Sequence, residues 1–400
     1  MKKMKNIGII MIFFILLVTA NRTYAYDKIE NKETPNINSR KAVVIDRNSK
    51  EILYGKKENE KVKMASTTKI MTALVVIQNT NLNNTVEVSK KAAETGGSRL
   101  KIKKGDKISV KDLLYGLMLR SGNDAAVALA EYVGGSVERF ANLMNEKSKE
   151  LQLNNTHFVT PHGLDDDEHY TTAFELALIT DYALENEIFA KIVKTKTANI
   201  TVNGKTRTIN NTNELLGNLN GVYGVKTGFT NGAGRCLVTA IKRENMDIIC
   251  VVLGADAKKN RTKDSIKLIE NVFEKYEVIS LNNKICQEFN NWYKLIGQRI
   301  NIEKGDKNEL VLRLSSNEEL NYPILKNAEN EIEVKITANT NQKAPLEKGK
   351  EIGKLQVNHK GKLIKEISII NENEIRRKGV NNYLSEFVRK YSTYLETIIR

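Results

Sequence analysis

Strand-like runs lie at both ends of residues 41–276, helix-like runs fill the middle, and this order limits the possible folds more than any other feature of the chain. Ala42-Val43-Val44-Ile45 reads as a strand, Arg47-Asn48-Ser49-Lys50 as a turn and Glu51-Ile52-Leu53-Tyr54 as the returning strand. A helix is predicted from about Ser66 through Ile70, Met71, Leu74, Val75 and Val76. Leu113, Leu114, Leu117, Leu119, Ala125, Ala128 and Leu129 recur at helical spacing and extend the helical pattern from Val110 to about Leu151. Residues 171–195 read the same way. Val202-Asn203-Gly204-Lys205 signals a hairpin, because Asn-Gly accepts the positive φ of a tight turn. Strands follow near Val222–Thr227, Cys236–Ile241 and Ile248–Leu253, the last two joined around Glu244-Asn245, and a helix closes the region from about Asp264 to Tyr276. Strands that do not alternate regularly with helices exclude a doubly wound sheet. They predict an antiparallel sheet assembled from both chain ends, with a helical insert.

The composition changes after about residue 282. Arg299–Ile302, Leu310–Leu314, Ile332–Ile336, Leu355–His359 and Leu363–Ile370 are short β-like runs, and Ile332, Val334 and Ile336 alternate with polar residues as in a half-buried strand. Residues 283–372 are therefore read as a separate small β domain. Residues 373–400 differ again. Val380, Tyr383, Leu384, Phe387, Val388, Tyr391, Tyr394, Leu395, Ile398 and Ile399 recur at helical spacing, with polar residues between them, and predict an amphipathic helix of the kind that lies on a membrane surface, with packing on the β domain or a coiled coil as the alternatives.

At the other end, Lys2, Lys3 and Lys5 precede an apolar run from Ile7 to about Ala20, and Thr23 and Ala25 supply the small residues of a cleavage site. Residues 1–25 read as a secretory signal segment, with an uncut anchor as the alternative, and residues 26–40 as a flexible polar lead-in. The net charge falls from +15 to +11 without the four basic residues Lys2, Lys3, Lys5 and Arg22. A basic exported chain is attracted to anionic wall polymers and lipid, with solubility alone as the alternative reading of the charge. No nucleic-acid motif accompanies the charge, so nucleic acid is not an expected partner. Three cysteines, Cys236, Cys250 and Cys286, do not make a disulfide framework, and the first two lie in apolar runs that suit buried thiols. His157, His162, His169 and His359 have no metal-ligand spacing, and the acidic run Asp165–Glu168 reads as a solvated loop; neither metal nor cofactor is expected.

Ser66 and Lys69 stand three apart, one helical turn, in Ser66-Thr67-Thr68-Lys69. A serine hydroxyl needs a base. Lysine serves only when neutral, and lowering its pKa from about 10.4 to about 7–8 needs roughly 4 kcal/mol of differential destabilisation of its charged form. A helix N-terminus contributes about 0.3–1 kcal/mol, so burial and a second cation must supply the rest. Lys226, in Lys226-Thr227-Gly228 on a predicted strand, is that cation. Ser121, in Ser121-Gly122-Asn123, is placed to relay a proton, Asn123 to bind a substrate amide, and Gly228 to let a peptide lie along the strand edge. The order S-x-x-K, S-x-N, K-T-G is that of penicillin-binding proteins and class A β-lactamases.

Residues from about Lys41 to Tyr276 resemble the low-molecular-mass D-alanyl-D-alanine carboxypeptidases. The resemblance rests on Met64–Ala73, Ser121–Ala126, Pro161–Asp165, His169–Ala173, Lys226–Thr230 and Ala233–Leu237, with Ser-Gly-Asn where β-lactamases have Ser-Asp-Asn. Ala344–Gly349 and Ile352–Leu355 resemble the C-terminal β domain of that family, and the tail resembles its surface helix in position and pattern. The resemblance implies an α+β catalytic domain over residues 41–282 that removes the terminal D-Ala of peptidoglycan stem peptides ending in D-Ala-D-Ala. It implies acylation of Ser66 by substrate and by β-lactam antibiotics, with Lys69 as base, and an oxyanion held by the backbone N–H groups of Ser66 and Phe229. It further implies that Lys226 and Thr227 bind the substrate carboxylate, with Arg261 as a further anchor, and that His162 and His169 are structural. The expected location is the outer face of the cytoplasmic membrane or the cell wall, with peripheral membrane attachment. β-Lactamase activity, strict endopeptidase activity and a silent wall-binding scaffold are the competing readings.

Overall fold

The computed structural model describes residues 35–399. The signal-segment reading lies outside the described residues, as does most of the lead-in. The first lobe runs β1 (Lys41–Asp46), β2 (Ile52–Lys56), α1 (Lys69–Asn79), β3 (Thr85–Glu87), α2 (Lys90–Glu94), β4 (Lys107–Ser109), α3 (Val110–Leu119), α4 (Asn123–Gly134), α5 (Val137–Glu150), α6 (Ala173–Leu184), α7 (Glu187–Lys194), β5 (Thr197–Val202), β6 (Lys205–Asn210), β7 (Val222–Thr230), β8 (Gly234–Arg243), β9 (Met246–Ala255) and α8 (Lys258–Lys275).

Its main sheet has the order β2-β1-β9-β8-β7, antiparallel throughout. The two ends of the lobe meet where β1 pairs with β9, and β7 is left as an edge. Both faces are covered, which explains why β1 and β9 are continuously apolar rather than alternating. Val43, Ile45, Ile249, Val251 and Leu253 pack into the core shared with the helical insert. Ala42, Val44, Ile248, Cys250 and Val252 pack on the other face with Leu268, Ile269 and Val272 of α8. A second sheet, β3-β4-β5-β6, carries the Asn203-Gly204 hairpin, whose two turn residues have φ of 50° and 74°. Cys236 and Cys250 are buried free thiols and Cys286 is exposed.

Local breaks refine the predicted elements. The long pattern from Val110 is three helices, interrupted at Ser121, with φ of 60°, and again at Gly135, with φ of 75°. Asn186 splits residues 171–195 by accepting from the backbone N–H groups of Ile188 and Phe189 as an N-cap. The predicted helix at Ser66 starts as a 3₁₀ turn, Ala65–Thr68, before α1. The last helix of the lobe begins at Lys258, six residues before the predicted start. Ser39, assigned to the flexible lead-in, is buried, and its N–H and Oγ both donate to Asp264 Oδ2 at 2.7 Å.

The second lobe contains β10 (Tyr276–Ser280), α9 (Asn282–Leu295), β11 (Asn301–Glu303), β12 (Leu312–Leu314), β13 (Asn321–Leu325), β14 (Ile332–Ala338), β15 (Asn341–Lys343), β16 (Glu351–His359) and β17 (Lys362–Asn371). Its largest sheet has the order β12-β17-β16-β14. Helix α9 and strands β10, β13 and β15 are not among the predicted elements. The stripe of α9 that reaches the core is Ile285 and Phe289 with the partly buried Trp292 and Tyr293, too sparse to stand out among Asn, Gln and Lys. Helix α10 (Val380–Ile399) follows, and its described apolar residues are exposed: Leu384 is 64 % and Phe387 68 % accessible. Among the described residues no helix is long and apolar enough to cross a membrane.

Candidate active site

Three elements deliver the motif residues. Ser66 lies in the 3₁₀ turn ahead of α1, Lys69 is the first residue of α1, Ser121 lies in the break between α3 and α4, and Lys226 lies on β7. The turn before Ser66 is tightly seated. Ala65 has φ of 50°, and Gly163, with φ of 82°, lies so close that a Cβ there would fall 2.0 Å from the Ala65 carbonyl oxygen. On the other side a Cβ at Gly228 would meet the Ser66 nitrogen at 3.2 Å, so β7 lies directly against the turn that carries Ser66.

Lys69 is fully buried, and its Nζ has three oxygen partners: Ser66 Oγ at 2.9 Å, Asn123 Oδ1 at 2.7 Å and the His162 carbonyl at 2.7 Å. Burial and then the charge of Lys226 hold its pKa well below the ordinary lysine value, against an opposing pull from Asp124. A neutral amine has two N–H donors and one lone pair. The two carbonyl acceptors take the donors and leave the lone pair for the Ser66 hydroxyl proton, which is the arrangement a general base needs.

Lys226 is 1 % exposed and donates to Ser121 Oγ at 3.0 Å and to the Thr227 carbonyl at 2.8 Å. Burial and then the charge of Arg261 push its pKa down to about 7. Asn123 is turned differently from the sequence expectation. Its Oδ1 accepts from Lys69 and its Nδ2 donates to the Gly96 carbonyl at 2.7 Å, so both ends of the carboxamide serve to position Lys69. Thr227 Oγ1 lies 3.0 Å from Thr212 Oγ1. Phe229 is 47 % exposed, with the Arg235 guanidinium 3.5 Å above its ring. Arg261, expected to grip a substrate carboxylate, is 3 % exposed, and its Nη2 donates to Glu214 at 3.0 Å.

The histidines are engaged elsewhere. His169 Nδ1 accepts from Val159 N at 3.0 Å, its Nε2 lies 2.8 Å from Thr68 Oγ1, and burial pushes its pKa down to about 4. Burial and the Lys69 charge lower His162 to about 3. Within the acidic run, Asp165 accepts from Thr230 Oγ1 at 2.6 Å and from Gly232 N at 2.9 Å and so pins the β7–β8 turn, while Asp167 pairs with Lys63. Among the described residues no group of three His, Cys, Asp or Glu is arranged to hold a metal ion. The His162 carbonyl, Gly96 and Glu214 are the contributors that sequence reasoning missed. The first two act through backbone oxygens, which carry no residue signature.

A family model described as D-alanyl-D-alanine carboxypeptidase matches residues 28–257, and one described as penicillin-binding protein 5, C-terminal domain, matches residues 273–377. D-alanyl-D-alanine carboxypeptidase DacF of Bacillus subtilis is 31% identical over 98% of this chain and 100% of its own length. D-alanyl-D-alanine carboxypeptidase DacC of Escherichia coli is 34% identical, covering 91% of each chain. Among solved structures, penicillin binding protein 5 from Haemophilus influenzae superposes with a TM-score of 0.70 at 30% identity, over 87% of this chain and 100% of that one. D-alanyl-D-alanine carboxypeptidase DacD from Francisella tularensis gives 0.66 at 28% identity, over 88% and 97%.

Proposed function

The chain belongs to the D-alanyl-D-alanine carboxypeptidase family of penicillin-binding serine peptidases, and we propose that Ser66 carries its acyl-enzyme while the terminal D-Ala is cut from peptidoglycan stem pentapeptides. The observation that carries this reading is the buried Lys69 amine, 2.9 Å from Ser66 Oγ, with both of its own N–H groups taken up by carbonyl oxygens.

Ser66 Oγ adds to the carbonyl of the penultimate D-Ala and its proton passes to Lys69 Nζ. β7 is the sheet's edge strand, so the Phe229 N–H, with that of Ser66, is the donor pair for the oxyanion. The C–N bond breaks as a proton reaches the departing nitrogen through Ser121, and D-Ala leaves with its carboxylate beside Lys226 and Thr227. Water then hydrolyses the ester and restores the Ser66 hydroxyl. The test is D-Ala release from a diacylated Lys-D-Ala-D-Ala peptide: turnover that one equivalent of penicillin abolishes supports the reading, and a protein that binds wall fragments but frees no D-Ala refutes it.

The two lysines predict the pH profile. Lys69 acts only when neutral, so activity is lost on the acid side as it protonates. Lys226 holds the carboxylate only when charged, and in the free enzyme it loses its proton near pH 7. A bound carboxylate favours charged Lys226 and raises that pKa. The alkaline limb of kcat is therefore expected at higher pH than that of kcat/KM, since the first reports the complex and the second the free enzyme. Coincident alkaline limbs would remove Lys226 from carboxylate binding.

The same proposal places the enzyme outside the cytoplasm, with residues 1–25 as export signal and α10 resting on the membrane surface. The exposed Tyr383, Leu384, Phe387, Tyr391 and Tyr394 support this reading. Deleting residues 380–400 is expected to move the protein from the membrane pellet to the soluble fraction with D-Ala release unchanged; a truncated protein that still sediments with membranes refutes the anchor.

A further inference from the structure

Glu214 lies in the loop between β6 and β7, the loop that leads into the K-T-G strand. The partners of its carboxylate come from the start of α8. Lys258 Nζ lies 2.6 Å away, Arg261 Nη2 donates at 3.0 Å, and Thr262 Oγ1 also donates to it. Partial burial works against its ionisation, yet the hydrogen bonds from Lys258 and Thr262 and the charges of Arg261 and Lys258 outweigh it and hold its pKa below the usual carboxylate range. The same loop reaches the catalytic strand two residues earlier, where Thr212 Oγ1 meets Thr227 Oγ1 at 3.0 Å, and it is fastened to the helical insert by Thr212 N donating to the Leu119 carbonyl at 3.1 Å.

The charges around this loop do not balance. Lys226 in the middle of β7, Arg235 near the start of β8 and Arg261 in the first turn of α8 lie close enough for Arg261 to act on Lys226 and Arg235 on Arg261. Arg235 stacks on Phe229, and Arg261 keeps a buried Nε with no partner. Among the described residues, the carboxylate paired with Arg261 is Glu214. A substrate carboxylate arriving at Lys226 and Thr227 therefore meets a cationic cluster that already holds one internal anion.

We propose that Glu214 is a positioning residue of the subsite for the departing D-Ala: it fixes Arg261 and competes there with the incoming carboxylate, and this contact sets how strongly the site prefers substrates with a free C-terminal carboxylate. The proposal rests on the D-Ala-D-Ala reading above. Charge and geometry separate in two variants. Glu214→Gln keeps the acceptor for Arg261 and Thr262 but removes the competing charge. Glu214→Ala removes both.

The measurement is kcat/KM for a peptide ending in D-Ala-D-Ala with a free carboxylate and for the same peptide ending in an amide, with thermal unfolding recorded for each variant. Glu214→Gln is expected to raise the acid-over-amide ratio by about threefold to tenfold, the size of one partly screened charge pair. Glu214→Ala is expected to lower the ratio, because Arg261 is no longer held. Loss of stability alone would depress both substrates alike and leave the ratio unmoved. A ratio within about twofold of wild type in both Glu214 variants overturns the proposal, as does an unchanged ratio in an active Arg261→Gln control. A wild-type protein that releases no D-Ala from either peptide overturns the underlying reading instead.

Discussion

Replacing Ser66 by alanine is expected to abolish both D-Ala release and covalent labelling by a fluorescent penicillin. The substitution removes one half-buried oxygen and leaves the 3₁₀ turn its backbone, so the fold is expected to stand. The chemistry is not, because among the described residues no other hydroxyl hydrogen-bonds to Lys69 Nζ. Loss of a nucleophile acting as one unit with its base reduces kcat by on the order of 10⁶ in comparable serine hydrolases, which places the variant below detection. A covalent penicillin adduct on the alanine variant would show that another residue is acylated and would end the assignment.

Lys69 gives the second large effect, and its two replacements separate two roles. If Lys69 acts as a base, Lys69→Met and Lys69→Arg both lose acylation, by about 10²–10⁴-fold, the range of general-base contributions. If it acts only as a positive charge near the oxyanion, Lys69→Arg keeps much of the rate. The structure favours the base. Lys69 is fully buried beside a second cation, 1 % exposed Lys226, and both influences penalise its charged form. A guanidinium cannot shed its proton under such pressure. Stopped-flow acylation by a chromogenic β-lactam measures the rate, and an arginine variant within about tenfold of wild type contradicts the base assignment.

Much of this site was legible before any coordinates. Ser66, Lys69, Ser121 and Lys226, which the structure joins in two hydrogen-bonded pairs, are legible as candidates because their chemistry restricts residue type and spacing, and the demand for a second cation follows from the energy needed to neutralise a lysine. Asn123 was found as a residue but not in its orientation. A carboxamide has two different ends, and their directions are set here by Lys69 and by the Gly96 carbonyl, neither of which the Ser-Gly-Asn triplet encodes. Glu214 and the burial of Arg261 carried no local signal, since both depend on α8 packing against the loop before β7. Helix α9 was missed for a related reason: with Ile285 and Phe289 as its fully buried residues, its apolar stripe is too sparse to register as a period.

What the sequence determined by itself is local. Side-chain alternation and helical spacing set the order of elements, Asn203-Gly204 set a hairpin, and three short motifs named the candidate reacting groups. The tertiary structure decided which of those groups has the state its chemistry needs. Lys69 can be a base because it is sealed from water, with Asn123, 54 residues away, accepting a hydrogen bond from its amine and Lys226 disfavouring its charged form. Lys226 reaches Ser121 across 105 residues, and Arg261 is met by Glu214 across 47. Backbone preference acts over a few bonds and can be read from neighbours in the chain. Desolvation and Coulomb interaction act through space, so a lysine's proton affinity is settled only when distant segments have packed around it.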